Sequence, residues 1–385
     1  MSRRERVLLL HNRYRAAGGE ERVVDELEAL LRDRGHAVAR CERDSAESGR
    51  VTAARALLRG GVGEEQVRAA IAAHGADVLH AHNIHPLFGW RALAAGRDAG
   101  ARVVLHLHNY RFTCAIGVAY REGRPCHRCH GRDTRPGLRH NCRGSLPEAA
   151  VYAAALSAQQ PRLLELVDRF VAVGAAQAEI LAAFGVPRSR VDVVPNAVAA
   201  VAAASGAAEG RYALASGRLV EEKGFDMAIA AARAAGVPLR IAGEGPDERR
   251  LRGLADGAEV TFLGRIDGER MAAERRGAAV VLVPSRWEEA CPMAVVEALA
   301  DGVPVLASDL GGLPELVGPG AALPARDEAA WARALRALWD DPAERARRGE
   351  EALARARARH TPEAQYAALV DAYAAAERAA RERGR

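Results

Sequence analysis

The chain has 385 residues, enough for two domains of ordinary size. Hydrophobic residues make up 49% and aromatic residues only 4%, so the cores are expected to be aliphatic and helix-rich. The formal charge of +5 is spread along the chain rather than gathered in a stripe. That argues against a nucleic-acid partner and suits a phosphate-bearing ligand, an anionic membrane surface or a plain solvated exterior. The start, Met1 to Arg6, is charged and runs into a strand pattern without an apolar signal region. No apolar run reaches the roughly 18 residues that a membrane span needs. The expected compartment is the cytoplasm, where six cysteines read as thiols or metal ligands rather than disulfides.

In chain order, Arg6 to Asn12 (RVLLLHN) reads as a buried strand followed by a glycine-containing loop. Glu20 to Arg34 has helical periodicity and ends at Gly35, and His36 to Arg43 is a second strand. Asp77 to Asn83 and Arg102 to Asn109 are two more, separated by a helix from about Phe88 to Asp98. Arg169–Gly174 and Val191–Pro195 complete the first series. The second half repeats the theme with strands at Tyr212–Ser216, Leu239–Ala242, Val260–Leu263, Ala279–Pro284 and Val303–Ser308. From Glu328 the pattern is helical, broken at Pro342 and Pro362. Continuous Val/Leu runs alternating with helices predict parallel sheets buried on both faces. The Ala-, Ser- and Gly-rich stretch 198–210 reads as a linker between domains 1–197 and 211–361. A ligand is expected in a deep cleft between them, at the carboxyl ends of the strands.

The sharpest chemical signal is Trp287-Glu288-Glu289-Ala290-Cys291-Pro292-Met293-Ala294-Val295-Val296-Glu297-Ala298. It follows a strand, and Pro292 suits the first helical position because its missing N–H has no helical partner there. The N–H groups of Met293 and Ala294, with the helix dipole, then form an anion site. Glu289 sits before the helix and Glu297 in its second turn. Two carboxylates flanking an anion site fit a sugar diphosphate, with the bland alternative that both are surface charges. Arg218 and Lys223 follow an earlier strand end and can reach the same diphosphate, one as a planar fork and one as a point charge.

These segments together resemble the retaining glycosyltransferases of family 4. Glu289 and Glu297 match that family's Glu-x7-Glu motif. Ser216-Gly217-Arg218 through Lys223-Gly224 resembles its Gly-Arg…Lys-Gly loop. Ala242-Gly243-Glu244-Gly245-Pro246, Ala300-Asp301-Gly302-Val303-Pro304 and Gly311-Gly312-Leu313-Pro314-Glu315 match its further segments in order. The resemblance, of the type used in bacterial polysaccharide assembly, implies a GT-B fold of two Rossmann-like α/β domains. It implies a hexosyltransferase-type enzyme that moves sugar from a nucleotide-diphosphate donor to an acceptor hydroxyl with retention, by front-face substitution. Glu289 would contact the transferred sugar and Glu297 the ribose hydroxyls. The family often has Gly-Phe-Gly where this chain has Ala290-Cys291-Pro292, and Pro292 lacks one backbone donor. Fixed cations and the helix end can neutralise the leaving group without a metal, and no Asp-x-Asp metal motif occurs.

In the first half, Ala16-Ala17-Gly18-Gly19-Glu20 opens a helix after the first strand, where glycines let backbone approach a ligand. The resemblance sets Gly18 and Gly19 near donor phosphate and acceptor, and gives His108 a contact to the donor sugar. Period 2 puts His106 and His108 on one face; His80 and His82 read as cleft lining or core. The tail 362–385 is implied to pack back on the first domain.

Residues 110–145 interrupt the α/β rhythm with the spacing Cys-x11-Cys-x2-Cys-x12-Cys at Cys114, Cys126, Cys129 and Cys142. Tetrahedral structural zinc is one reading, with free thiols and disulfides as the others. The segment is polar enough that a metal clip would be needed to order it, and Asn109-Tyr110-Arg111 and Arg143-Gly144-Ser145 frame it as in some family 4 enzymes. It is expected on the acceptor side. A glycan, a lipid-linked sugar at the inner membrane face, with peripheral membrane contact, or a soluble small molecule could serve as acceptor. A sugar-nucleotide epimerase on the same fold and a zinc-module binding protein are the alternatives. The first lacks the Glu-x7-Glu and Gly-Gly-x-x-Glu pattern, and the second has too few aromatics near the cysteines to bind nucleic acid.

Overall fold

In a computed structural model of the chain, residues 4–15 and 18–384 are described. Ala16 and Ala17 of the glycine loop, and the first three residues of the charged start, lie outside them. The strands in chain order are β1 (Arg6–Arg13), β2 (Ala37–Asp44), β3 (Val78–Ala81), β4 (Arg102–Leu107), a short hairpin of β5 (Tyr120–Arg121) and β6 (Arg124–Pro125), β7 (Arg169–Ala172) and β8 (Val191–Val193). They continue with β9 (Ala213–Ser216), β10 (Leu239–Ala242), β11 (Val260–Gly264), β12 (Val280–Val283), β13 (Val305–Ser308) and β14 (Ala322–Leu323).

The chain divides into two compact units, each built on a six-stranded parallel sheet. The amino-terminal sheet has the order β2-β1-β3-β4-β7-β8. Val7–Leu10 of β1 and Val103–Leu105 of β4 are fully shielded from solvent, as strands covered by helices on both faces must be. The carboxyl-terminal sheet has the order β11-β10-β9-β12-β13-β14. Strand order reverses between β1 and β3 in the first and between β9 and β12 in the second. In open parallel sheets the crevice beyond the strand ends at such a reversal is where ligands bind. The two-domain α/β fold expected from the strand–helix alternation is the one observed.

The boundary falls at Pro195–Asn196, and Tyr120–Cys126 groups with the second unit. The stretch 198–210 is not a free connector. Val198 N–H donates to the His360 carbonyl, Ala202 N–H to that of Ala300, and Arg345 donates to the carbonyls of Ala207 and Ala208. The small side chains that suggested a linker instead let backbone lie flat on the carboxyl-terminal unit.

Asp327 and Asp341 cap the helices Glu328–Asp340 and Pro342–Arg359 by accepting from Ala330 and Glu344 N–H. The last helix, Pro362–Glu382, belongs to the amino-terminal unit from Gln365 on. Its Leu369, Ala372, Tyr373 and Ala376 join the core made by Val7, Leu9, Val78 and Val104. Arg383 pairs with the fully buried Asp168 at one end of that contact, and Tyr366 Oη meets His36 Nε2 at 2.9 Å near the other.

Several strands are shorter than their sequence pattern, β3 and β4 among them. β3 and β4 stop at Ala81 and Leu107, because the asparagines that follow turn the backbone. Asn83 Oδ1 accepts from His85 N–H, and Asn109 Oδ1 accepts from Arg111 N–H.

Candidate functional site

In the carboxyl-terminal unit the loops after β9 and β12 meet at the strand-order reversal. Lys223, in the turn beyond β9, sets its Nζ 2.5 Å from Glu289 Oε1 in the loop beyond β12. The fully buried Ser285 donates its hydroxyl to the same oxygen at 2.7 Å. Glu289 is almost wholly buried, and these two partners satisfy one of its oxygens. The ammonium also lies 5.6 Å from the ring centroid of Trp287, a cation–π distance. Backbone locks the loops together: Arg286 N–H donates to the Glu222 carbonyl at 2.8 Å, and Arg286 pairs with Asp226 at 2.7 Å.

Glycine is required at one point of this junction for conformation and at another for space. Gly224 has φ +69°, and a Cβ there would meet the Pro284 carbonyl oxygen at 2.0 Å. Gly312 N–H donates to the Glu289 carbonyl at 2.7 Å, and a Cβ on it would come within 2.1 Å of the Ala290 oxygen. The matched glycines therefore fix the height of the Glu289 loop.

Pro292 is the residue before the helix, not its first residue. Its φ of −68° and ψ of 127° are extended, and the helix is Met293–Ala300. The proline carbonyl takes the first helical bonds, from Val295 and Val296. Met293 and Ala294 thus carry the leading N–H groups, which no helical carbonyl can satisfy. Glu297 is neither exposed nor a lone charge: Arg275 Nη1 lies 2.6 Å from its Oε2, while Arg275 Nε reaches Asp301 at 2.8 Å. Arg218, by contrast, is 64% exposed and only 3.7 Å from Glu222, leaving its guanidinium accessible to solvent. The arrangement can hold a diphosphate with an exposed fork, a point charge and a helix end, beside a buried carboxylate.

In the amino-terminal unit, Gly18 is the cap of the helix Gly19–Asp33 and both glycines are exposed. Glu21 folds back to accept from Gly18 N–H at 2.8 Å and Tyr14 N–H at 2.9 Å. Glu20 accepts from the Tyr14 hydroxyl at 2.9 Å; burial pushes its carboxyl above the usual range, with His11 and Tyr14 opposing. His108 follows β4 and stacks on His106, ring centroids 4.3 Å apart, while its Nε2 meets His82 Nδ1 at 2.9 Å. His80 continues the stack toward Tyr373, whose hydroxyl is 2.9 Å from His80 Nδ1. Burial lowers His108 to about 4 and His80 to about 3, so both are neutral at pH 7.

None of the six cysteines forms a disulfide. The insertion is ordered by apolar anchoring as well as by any metal it binds. Tyr110 and Phe112 are buried, edge-on to Phe184 and Phe170 respectively. The segment thus carries apolar anchors of its own, contrary to the expectation from its polarity. Cys114, Cys129 and Cys142 lie in the amino-terminal unit and Cys126 groups with the other. Among the described residues, the set of metal-ligating groups gathered within reach of one ion is His80, His82 and His106.

Residues 17–200 match the model described as Glycosyltransferase Family 4, and residues 202–355 match Glycosyl transferases group 1. The chain belongs to the family 4-like glycosyltransferases of the GT-B fold. A D-inositol 3-phosphate glycosyltransferase of Nocardia farcinica is 33% identical over 251 residues, 56% of this chain and 54% of that one. A glycogen synthase of Mycobacterium tuberculosis is 34% identical over 196 residues, 46% of each chain. This glycosyltransferase-family chain thus spans about half the length of the curated relatives it matches, or less. Among solved structures, sucrose-phosphate synthase of Thermosynechococcus elongatus shares the fold at a TM-score of 0.70 and 21% identity, covering 95% of this chain and 98% of that one. HepE of Anabaena, solved with UDP and glucose, does so at 0.65 and 16%, covering 96% and 99%. Among the described residues of this family member, no helix is long and apolar enough to cross a membrane.

Arg275, Ser285 and Trp287 were not legible as partners of the two glutamates. Arg275 lies on a different helix from Glu297, 22 residues away in sequence, with no motif linking them.

Proposed function

We propose that this chain is a retaining glycosyltransferase that takes a hexosyl group from a nucleotide-diphosphate sugar and delivers it to an acceptor hydroxyl in glycan, glycolipid or polysaccharide synthesis. The observation that carries the reading is the Lys223–Glu289 pair at the strand-order reversal, 2.5 Å apart beside the helix led by Met293 and Ala294. Lys223 and Arg218 would hold the diphosphate, and the leading N–H groups would add the helix dipole where negative charge grows on the leaving group. These fixed charges act without a divalent ion. Glu289, held at one oxygen by Lys223 and Ser285, would meet the transferred sugar; Glu297, oriented by Arg275, would accept from ribose. His108 is assigned to the sugar, and Gly18 and Gly19 to phosphate and acceptor, by the family resemblance. A neutral His108 suits a hydrogen-bonding contact better than proton abstraction. The cysteine insertion is proposed to help choose the acceptor, with a structural zinc on its four thiols.

The test is release of free nucleoside diphosphate from a panel of UDP-, GDP- and ADP-sugars, with the anomeric configuration of the product read by NMR. Turnover with retained configuration supports the reading. An inverted product refutes the retaining step, and neither turnover nor binding of any donor refutes the whole.

A further inference from the structure

A cluster of imidazoles in the amino-terminal unit lies against His108 but has no role of its own in the transfer proposed above. β3 and β4 are neighbours in parallel register, with His80 opposite Val104. Period-2 alternation therefore brings His80 of β3, His82 just beyond its end, and His106 of β4 to a single face of the sheet. All three are buried, at 0%, 2% and 1% exposure. Their ligand atoms lie within 4.8 Å of one another.

The hydrogen bonding of these rings is lopsided. His80 Nδ1 meets Tyr373 Oη at 2.9 Å, and His82 Nδ1 meets His108 Nε2 at 2.9 Å. The opposite nitrogens, Nε2 of both rings, have no hydrogen-bond partner among the described residues; neither does either nitrogen of His106. A buried polar atom left unpaired costs about 1–3 kcal/mol, and native folds rarely tolerate several in one place. For His80 and His82, one bond to an outer partner with the other nitrogen left open is the pattern of imidazoles that ligate a metal; His106 has both nitrogens open. The outer bond sets the tautomer and aims the lone pair. Tyr373 and His108 can each accept from an Nδ1–H, which leaves the lone pair on Nε2.

We propose that His80, His82 and His106 bind one divalent transition-metal ion of the zinc class. Three imidazoles suit a borderline cation, whereas calcium and magnesium require oxygen ligands. Tetrahedral zinc with bonds of about 2.0–2.1 Å holds its nitrogens roughly 3.4 Å apart; the rings lie face to face with centroids 4.5–5.4 Å apart, so they turn about their Cβ–Cγ bonds to direct three lone pairs at one ion. The ion would fix the ring that holds His108 and tie it to Tyr373 on the returning helix. Its role is structural, and no step of glycosyl transfer passes through it.

The test uses the full chain carrying Cys126→Ser and Cys129→Ser, stripped with chelator and titrated with Co(II) and then Zn(II). One Co(II) per chain is expected, with ligand-field absorption, no thiolate-to-cobalt charge transfer, and a raised melting temperature. His106→Leu, which removes a ligand while filling its volume, should weaken binding at least tenfold. Tyr373→Phe, which removes the outer bond to His80, should weaken it about tenfold; this variant carries the test if His106→Leu fails to fold. No Co(II) uptake by the parent overturns the proposal. So does uptake that neither variant alters. A His106→Leu protein that is more stable, from a parent whose melting is indifferent to metal, identifies a plain imidazole stack and overturns it too.

Discussion

Lys223 Nζ and Glu289 Oε1 are 2.5 Å apart, and Lys223 is the only lysine in a chain otherwise provisioned with arginine. A compact ammonium fits against a buried carboxylate and the Trp287 face where a planar guanidinium would have to displace one of them. Lys223→Arg should therefore fail to restore turnover, and Lys223→Ala should strand a buried charge at a cost of about 3 kcal/mol. Glu289→Gln keeps the shape and should retain most stability while losing at least about 100-fold in rate. Melting curves and donor turnover on the three variants separate these outcomes. Equal loss of stability and rate in all three would refute the division of roles.

Arg275 serves two acids at once. Arg275→Met should destabilise by about 3 kcal/mol by removing the guanidinium that Glu297 and Asp301 share in a half-buried site. In a double-mutant cycle with Glu297→Gln, a coupling of about 1–3 kcal/mol is expected in denaturant melts. Additive effects would show that the 2.6 Å contact has no energetic consequence.

Gly224→Ala adds a methyl that collides with the Pro284 carbonyl and forces a residue with a side chain to φ +69°. The loss should exceed about 1 kcal/mol. Because the same turn positions Lys223, nucleoside-diphosphate binding should weaken in parallel. A calorimetric titration with UDP, GDP and ADP reads this directly.

Asp226 gives a pH dependence. Burial pushes its carboxyl up, but the guanidiniums of Arg286 and Arg250 outweigh burial and hold it below the usual carboxylate value. A depressed folded-state value means that the pair stabilises the fold above the unfolded carboxylate pKa of about 3.9, and that this contribution fades as pH falls through the folded value. Asp226→Asn should lower the melting temperature at neutral pH, and the gap to the parent should close as pH drops below about 4. A gap independent of pH would mean that packing, not charge, holds Asp226.

Cys291, beside the Glu289 loop, is buried, and burial pushes its thiol up to about 12. In native protein stripped with chelator, at mildly alkaline pH, it should resist iodoacetamide while the half-buried cysteines of the insertion react, and it should label fully in denaturant. Peptide mass spectrometry checks it. Rapid native labelling of Cys291 would show that this loop opens in solution.

The sequence by itself determined the two parallel sheets, the helical tail with its breaks at Pro342 and Pro362, and the residues around Glu289. These depend on local signals: apolar runs of strand length, prolines that end helices, and glycines at turns that no other residue can make. Where pattern and structure parted, the cause was usually side-chain bonding that no periodicity encodes. Asn83 and Asn109 end their strands early, and Arg345 fastens the small-residue stretch after Asn196 to the carboxyl-terminal unit. Only the tertiary structure decided what the charged residues are paired with. Glu289 became legible as a held carboxylate, and Glu297 as a partner of Arg275, once elements distant in sequence were packed side by side. The same holds for the histidines. Alternation could place His106 and His108 on one face, but strand adjacency set His80 and His82 beside them, and the returning helix supplied Tyr373. Local sequence fixes which groups a segment presents; packing of remote segments fixes their partners and their protonation.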